Sequence, residues 1–179
     1  MQIRPAEAGD HDGIETLLRL AFDGTEEARI VTALREDDAD TLELVAVKNG
    51  MIVGEIMFSP VTGCRKGAEI SFGLGLGPIA IAPAHQRQGI GSALMDAGLD
   101  YVTALGAPWC ILLGDPAYYS RFGFQIAADH GYTWNQDRTG QFAPYFQVRA
   151  LGASPLPAGP IQMHYHAAFN PQETPESGT

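Results

Sequence analysis

Residues 79–113 place a strand, a turn, a helix and a second strand at a spacing that leaves few folds open. Ile79-Ala80-Ile81-Ala82 is a short apolar run ended by Pro83, and Gln86-Arg87-Gln88-Gly89-Ile90-Gly91-Ser92 then opens a helix through Gly-x-Gly. Ile90, Leu94, Ala97, Tyr101 and Leu105 follow at helical steps, and Gly106 and Pro108 are stop signals. Residues 109–113 are unbroken apolar, the mark of a strand buried on both faces. Strand, helix and strand in this order form a crossover whose two strands run parallel in one sheet, so the chain is of the α/β class. The first N–H groups of a helix have no partner inside it and lie at the positive end of its dipole. Glycine at 89 and 91 lets an anion approach that main chain closely, and the stretch reads as a cradle suited to a pyrophosphate.

The remaining segments supply the rest of a sheet and its cover. Ile3 starts a short strand limited by Pro5, and Asp10 can cap a helix with Ile14, Leu17, Leu18 and Ala21 on its inner face. A second helix begins near Thr25, with Glu26 and Glu27 in its first turn and Ile30, Val31 and Leu34 inside. The acidic run 36–40 reads as a solvated loop. Residues 42–47 and 51–59 form a hairpin around Asn49-Gly50, ended by Pro60. A polar turn at 62–69 leads into a strand over 70–82. Within it Leu74 and Leu76 keep one parity and Ile79 and Ile81 the other, with the switch at Gly77-Pro78. A bulge there gives two readings: a kinked edge strand, or a splayed strand that offers its backbone to a ligand. Past 113, Gly114-Asp115-Pro116 turns into a short helix over 117–122, and Phe124 re-enters the sheet after Gly123. Residues 129–144 read as loop with room for one strand, and 145–151 and 160–165 as strands. Residues 1–169 are expected to form one domain, and 170–179 a frayed tail.

Composition removes several classes of function. The formal charge of −10 argues against nucleic acid or an anionic membrane as partner and is compatible with a cationic substrate. Apolar runs are broken well before the length of a membrane span, and residues 1–7 have no apolar signal core, so the cytoplasm is the expected compartment. Cys110, in an apolar run, and Cys64, in a polar segment read as loop, are no disulfide framework. His164 and His166 share a face if both lie on a strand, but no third ligand is evident and no metal is expected. His85 flanks the cradle, either as a turn residue or as a phosphate contact.

Two familiar phosphate loops fail. No Gly-x-x-x-x-Gly-Lys-Ser/Thr run exists, and the third glycine of a dinucleotide fingerprint is replaced by Leu94. What remains is Gln86-x-x-Gly89-x-Gly91, with Tyr118-Tyr119-Ser120-Arg121-Phe122-Gly123-Phe124 downstream. On these residues the chain resembles the GNAT N-acetyltransferase superfamily. The fuller run 114–124, Phe146-Gln147-Val148 and His164-Tyr165-His166 before Phe169-Asn170 look like its bacterial YhbS-like branch.

The resemblance implies a central mixed sheet flanked by helices, with a V-shaped split between two parallel strands. It implies acetyl-CoA as acyl-donor cosubstrate and no metal. Ile79 and Ile81, with Ala80 between them, would meet the pantetheine amides. Gln86, Arg87, Gln88, Gly89, Ile90, Gly91 and Ser92 would hold the pyrophosphate on their main chain. Arg87 is the first candidate for compensating its charge, by side chain or by main chain alone, ahead of Arg121 and Arg65. Tyr119, favoured over Tyr118 by motif register, matches the family's proton donor: a phenol with a pKa of about 10 is protonated at neutral pH. The general base is unassigned. Residues 72–82 hold no acid, Glu55, Glu69 and Asp115 are the nearest, and Leu113-Gly114-Asp115 stands where the family often has Asn. The implied reaction is direct transfer to a primary amine of a small molecule or peptide, by a monomer or homodimer. The acceptor pocket is expected from 10–36 and 129–144. The alternatives are a non-catalytic acyl-CoA-binding or partner-binding module, and a nucleotide-binding enzyme.

Overall fold

The computed structural model describes residues 1–39, 42–153 and 155–170. The expected tail beyond Asn170, and Asp40 of the acidic run, lie outside the described residues. Strands β1 (Gln2–Pro5), β2 (Leu42–Lys48), β3 (Met51–Arg65), β4 (Ala68–Ile81) and β5 (Trp109–Leu113) are followed by β6 (Gln125–Ile126), β7 (Tyr132–Trp134), β8 (Phe146–Ala150) and β9 (Ile161–Tyr165). Helices α1 (His11–Ala21), α2 (Glu26–Glu36), α3 (Ile90–Ala104) and the short α4 (Pro116–Tyr119) connect them. One mixed sheet runs β1-β2-β3-β4-β5-β8-β6, with β9 on β3 and β7 on β9. Strand alternation sorts the core. Leu44, Ala46, Ile56 and Phe58 face α3, while Val45, Met57 and Ala80 face α1 and α2.

Asn49 and Gly50 both have positive φ, 53° and 76°, as the hairpin requires. The next hairpin departs from expectation. Pro60 does not end β3, which continues to Arg65 and carries Cys64. The second edge of β3 pairs with β2 up to Phe58 and with β9 from Val61. Pro60 falls in the gap between those partners, where a missing N–H costs least. The polar turn accordingly shrinks to Lys66-Gly67, with φ of 52° and 80°.

The expected face of α3 is also rotated. Tyr101 and Leu105 are 45% and 59% exposed. Ile90, Leu94, Met95, Gly98, Leu99 and Val102 are the buried residues. At about 100° per residue, the stripe through Ala97 and Tyr101 runs along the border of the buried arc, and Met95, Gly98 and Leu99 fill it. Ile30 of α2 is only half-buried, because it faces a cleft rather than the core. Asp10 precedes α1, but its carboxylate takes Arg4 at 2.5 and 2.9 Å and the Glu7 N–H at 2.8 Å. Those partners hold its pKa down at about 2.

The parity switch in β4 is a bulge. Phe58 pairs with Leu76 and Ile56 with Ile79, so two residues of β3 span three of β4 at Gly77-Pro78. Parallel pairing of β4 with β5 is confined to Leu74–Cys110 and Gly75–Ile111, before the bulge. Beyond it β4 keeps only β3 as partner and the two parallel strands diverge.

Candidate active site

The split leaves backbone groups unpaired in a predictable pattern. The Ala82 N–H donates to Val53 O at 2.9 Å, toward β3. Alternation then turns Ala80 toward β3 as well, and directs the N–H and C=O of Ile79 and Ile81 into the split. The Gln86 amide donates to Ile81 O at 3.3 Å from that side.

The turn after β4 is built to present N–H groups. Arg87 has φ 57° and Gly89 has φ 82°, two left-handed residues in three. The Ala93 N–H closes on Gly89 O at 3.0 Å, so the N–H groups of Ile90, Gly91 and Ser92 precede the first bond of α3. A Cβ on Gly91 would stand 3.0 Å from Tyr118 Oη and 3.7 Å from Ile81 Cγ1. Gly54 of β3 lets α3 come this close: a Cβ there would meet Ile81 and Leu94 at 2.9 Å. Gln88 turns away to Ala84 O at 3.2 Å, and Lys48 donates to it.

Three cavities follow one another from this turn. The first, about 490 Å³, is lined by His85, Gln86, Arg87, Gly89, Ile90, Gly91 and Ser92, with Tyr118 and Arg121 opposite. Arg121 lies 4.0 Å above the Tyr118 ring, which fixes its guanidinium beside the cradle. Arg65 is elsewhere, donating to Ala158 O and Pro160 O. The second cavity, about 450 Å³, runs along Ile79, Ala80 and Ile81 to Tyr118 and Tyr119. The third, about 370 Å³, lies beyond the bulge among Ile30, Leu76, Pro78, Trp134, Tyr165 and Phe169. Phe22, Ile79 and Tyr119 line both the second and the third, marking where the two meet.

Tyr119 is held in place by its surroundings. A Cβ on Gly114 would overlap its ring, so Gly114 makes its space. Buried Gln147 of β8 donates to Gly114 O at 2.9 Å and fixes that turn. The Asp115 carboxylate accepts from the Ala117 N–H at 2.9 Å and caps α4. Burial, then the neighbouring Tyr118, raises the Tyr119 phenol to about 12. Gly114→Ala is expected to lower turnover about tenfold or more by displacing this ring, as a small misplacement at a reacting centre does. Unchanged kinetics would show that Gly114 does not set its position.

The acidic candidates separate cleanly. Glu55 is fully buried on the α1–α2 side, and neither carboxylate oxygen has a hydrogen-bond partner. Burial first, and then the charge of Glu43, push its pKa well up, and it lines none of these cavities. Glu69 is exposed in the β3–β4 hairpin, and Asp115 is spent as a cap. Glu27 lines the third cavity, beside Phe22 and Ile30. The sequence reading took it only as a first-turn charge. The signal was there: Glu27, Ile30, Val31 and Leu34 follow i, i+3, i+4, i+7, which puts an acid on an apolar face.

His164 lies on β9, while His166 lies beyond it and accepts from the Ala168 N–H at 3.1 Å. Among the described residues no group of three or more His, Cys, Asp or Glu has metal-holding geometry, and no helix is long and apolar enough to cross a membrane. Both cysteines are free.

A mixed sheet splayed at a bulge, with a helix start at the mouth of the split and a tyrosine at its inner end, is the architecture of an acyl-CoA-dependent acyltransferase. The family model for the acetyltransferase (GNAT) domain matches residues 2–127. The uncharacterized N-acetyltransferase YhbS of Escherichia coli K12 is 37% identical over 162 residues, covering 90% of this chain and 93% of that one. The structure of E. coli YhbS in complex with CoA superposes with a TM-score of 0.82 at 35% identity, over 96% of this chain and 93% of that one. A Brucella melitensis GNAT acetyltransferase in complex with acetyl-CoA gives 0.76 at 38% identity, over 94% and 97%. The chain belongs to the GNAT family and is an N-acetyltransferase.

Proposed function

We propose that the chain moves an acetyl group from acetyl-CoA directly to a primary amine, with Tyr119 as the proton-bearing group at the leaving sulfur. The observation that carries this reading is that Phe22, Ile79 and Tyr119 line both the cavity along the free strand edge and the chamber beyond it. When bound, acetyl-CoA supplies an activated thioester whose leaving group is a thiolate. The backbone of Ile79 and Ile81 suits the pantetheine amides, and the N–H groups of 87–92 suit the pyrophosphate, with Arg87 and Arg121 supplying positive charge in a protein of charge −10. The cradle that a Cβ on Gly91 would fill, and the unpaired edge of β4, are features that this donor fits. The chamber, with walls from α2 and residues 134–169, is proposed for the acceptor, a small-molecule or peptide amine. The two free thiols agree with a cytoplasmic setting.

Thiol release over a panel of amines tests the reading. Release that depends on amine supports transfer. Retained acetyl-CoA binding with no release over any amine would instead favour a non-catalytic binding module.

The pH dependence has a fixed sign. A phenol raised to about 12 stays protonated throughout the working range, so Tyr119 imposes no loss of rate as pH climbs to 10. The rate is expected to rise with pH as the acceptor amine loses its proton. A fall below pH 10 that vanishes in Tyr119→Phe would overturn this.

A further inference from the structure

Among the described residues, Glu27 is the only charged side chain lining the proposed acceptor chamber; its other walls include Phe22, Ile30, Trp134 and Phe169. It is half-buried, and no hydrogen bond or ion pair engages its carboxylate among the described residues. Its neighbour shows the contrast. Glu26 is taken by Arg29 at 2.9 and 2.5 Å, and the same guanidinium donates to Ala168 O at 2.8 Å. A carboxylate left without a partner beside an aromatic wall is a ready ion-pair site for a cation. A neutral or anionic acceptor would leave it unmatched.

We propose that Glu27 is the specificity-determining residue for the acceptor, and that the acceptor is a primary ammonium carried on an apolar or aromatic body. This rests on the chamber being the acceptor site, as proposed above. The carboxylate pairs with the ammonium while the aromatic walls cover the body. A chamber of about 370 Å³ accommodates an arylalkylamine. The bound ammonium first gives up one proton to water. The free amine then forms the C–N bond as the C–S bond breaks, the second N–H proton is lost to water, and the thiolate is protonated by Tyr119. The product is a neutral amide that no longer offers the charge that Glu27 recognises. The site therefore prefers substrate over product by the same contact that selects the substrate.

The probes are 2-phenylethylamine, its N-acetyl derivative, and spermidine as a polar polycation, with wild type and Glu27→Gln. The wild type is expected to use 2-phenylethylamine with a kcat/KM about tenfold or more above that for spermidine. Glu27→Gln is expected to raise KM for 2-phenylethylamine about tenfold or more, the scale of a lost charge-assisted bond, with acetyl-CoA affinity and Tm unchanged. In direct titration the wild type binds the amine more tightly than the N-acetyl product, and Glu27→Gln removes that difference. A KM within twofold of wild type, equal binding of amine and product by the wild type, or a preference for spermidine overturns the proposal. Should the wild type bind acetyl-CoA yet release no thiol with any amine, the transferase reading fails separately. The titration then decides for Glu27 alone: loss of amine binding in the variant supports it, and equal or absent binding overturns it.

Discussion

Tyr119→Phe is expected to lower the turnover number about a hundredfold or more, the range typical of a lost general acid, with acetyl-CoA affinity changed less than twofold. The substitution removes one oxygen and keeps the ring that Gly114 accommodates, so the walls of both cavities survive. What disappears is the Tyr119 hydroxyl at their junction, held protonated by its burial. Tyr118 does not replace it. Its hydroxyl approaches Gly91 on α3, and its ring lies 4.9 Å from that of Tyr119, edge to face. Tyr118→Phe is therefore the control that alters the cradle side and leaves the junction intact. Single-turnover thiol release separates chemistry from binding. A turnover number within twofold of wild type would remove the acid role from Tyr119.

The second large effect is at the other end of the site. Gly91→Glu is expected to weaken acetyl-CoA binding about a hundredfold or more, because it puts bulk and like charge over the exposed N–H groups. Its Cβ alone would stand 3.0 Å from Tyr118 Oη. Stability moves the other way. Gly91 lies in the first turn of α3, where a carboxylate is favoured by the helix dipole and a glycine is a weak helix former. A variant that melts no lower than wild type but fails to retain acetyl-CoA in calorimetry fits the cradle. Undiminished affinity refutes it.

The backbone features of the half proposed for the donor were legible in the chain because they are local. The parity switch at Gly77-Pro78, the Gly-x-Gly helix start and the Tyr119 register lie within one crossover unit, and each has a backbone cause within a few residues. The chamber proposed for the acceptor was not legible in the same way. Trp134, Tyr165 and Phe169 are brought against Phe22 and Ile30 by the insertion of β9 beside β3, a pairing no local pattern announces. The same insertion explains why Pro60 failed as a strand end. For α3, a stripe at the border of a wide buried arc cannot be told from its centre by spacing alone. Glu27 was legible in principle from its helical register with Ile30 and Leu34.

Arg29 joins α2 to the carbonyl oxygens of Ala168 and Asn170, and Gln136 donates to the Asn170 side chain at 2.5 Å. Three segments that are remote in the chain thus meet around the chamber, whereas residues 79–121, joined by Ala21 and Phe22, furnish the side proposed for the donor. Divergence can act on the two halves separately. If the chamber takes the acceptor as proposed, drift in the second helix or in the late loops is expected to alter what is acetylated more than how it is acetylated, a fixed engine behind an exchangeable mouth.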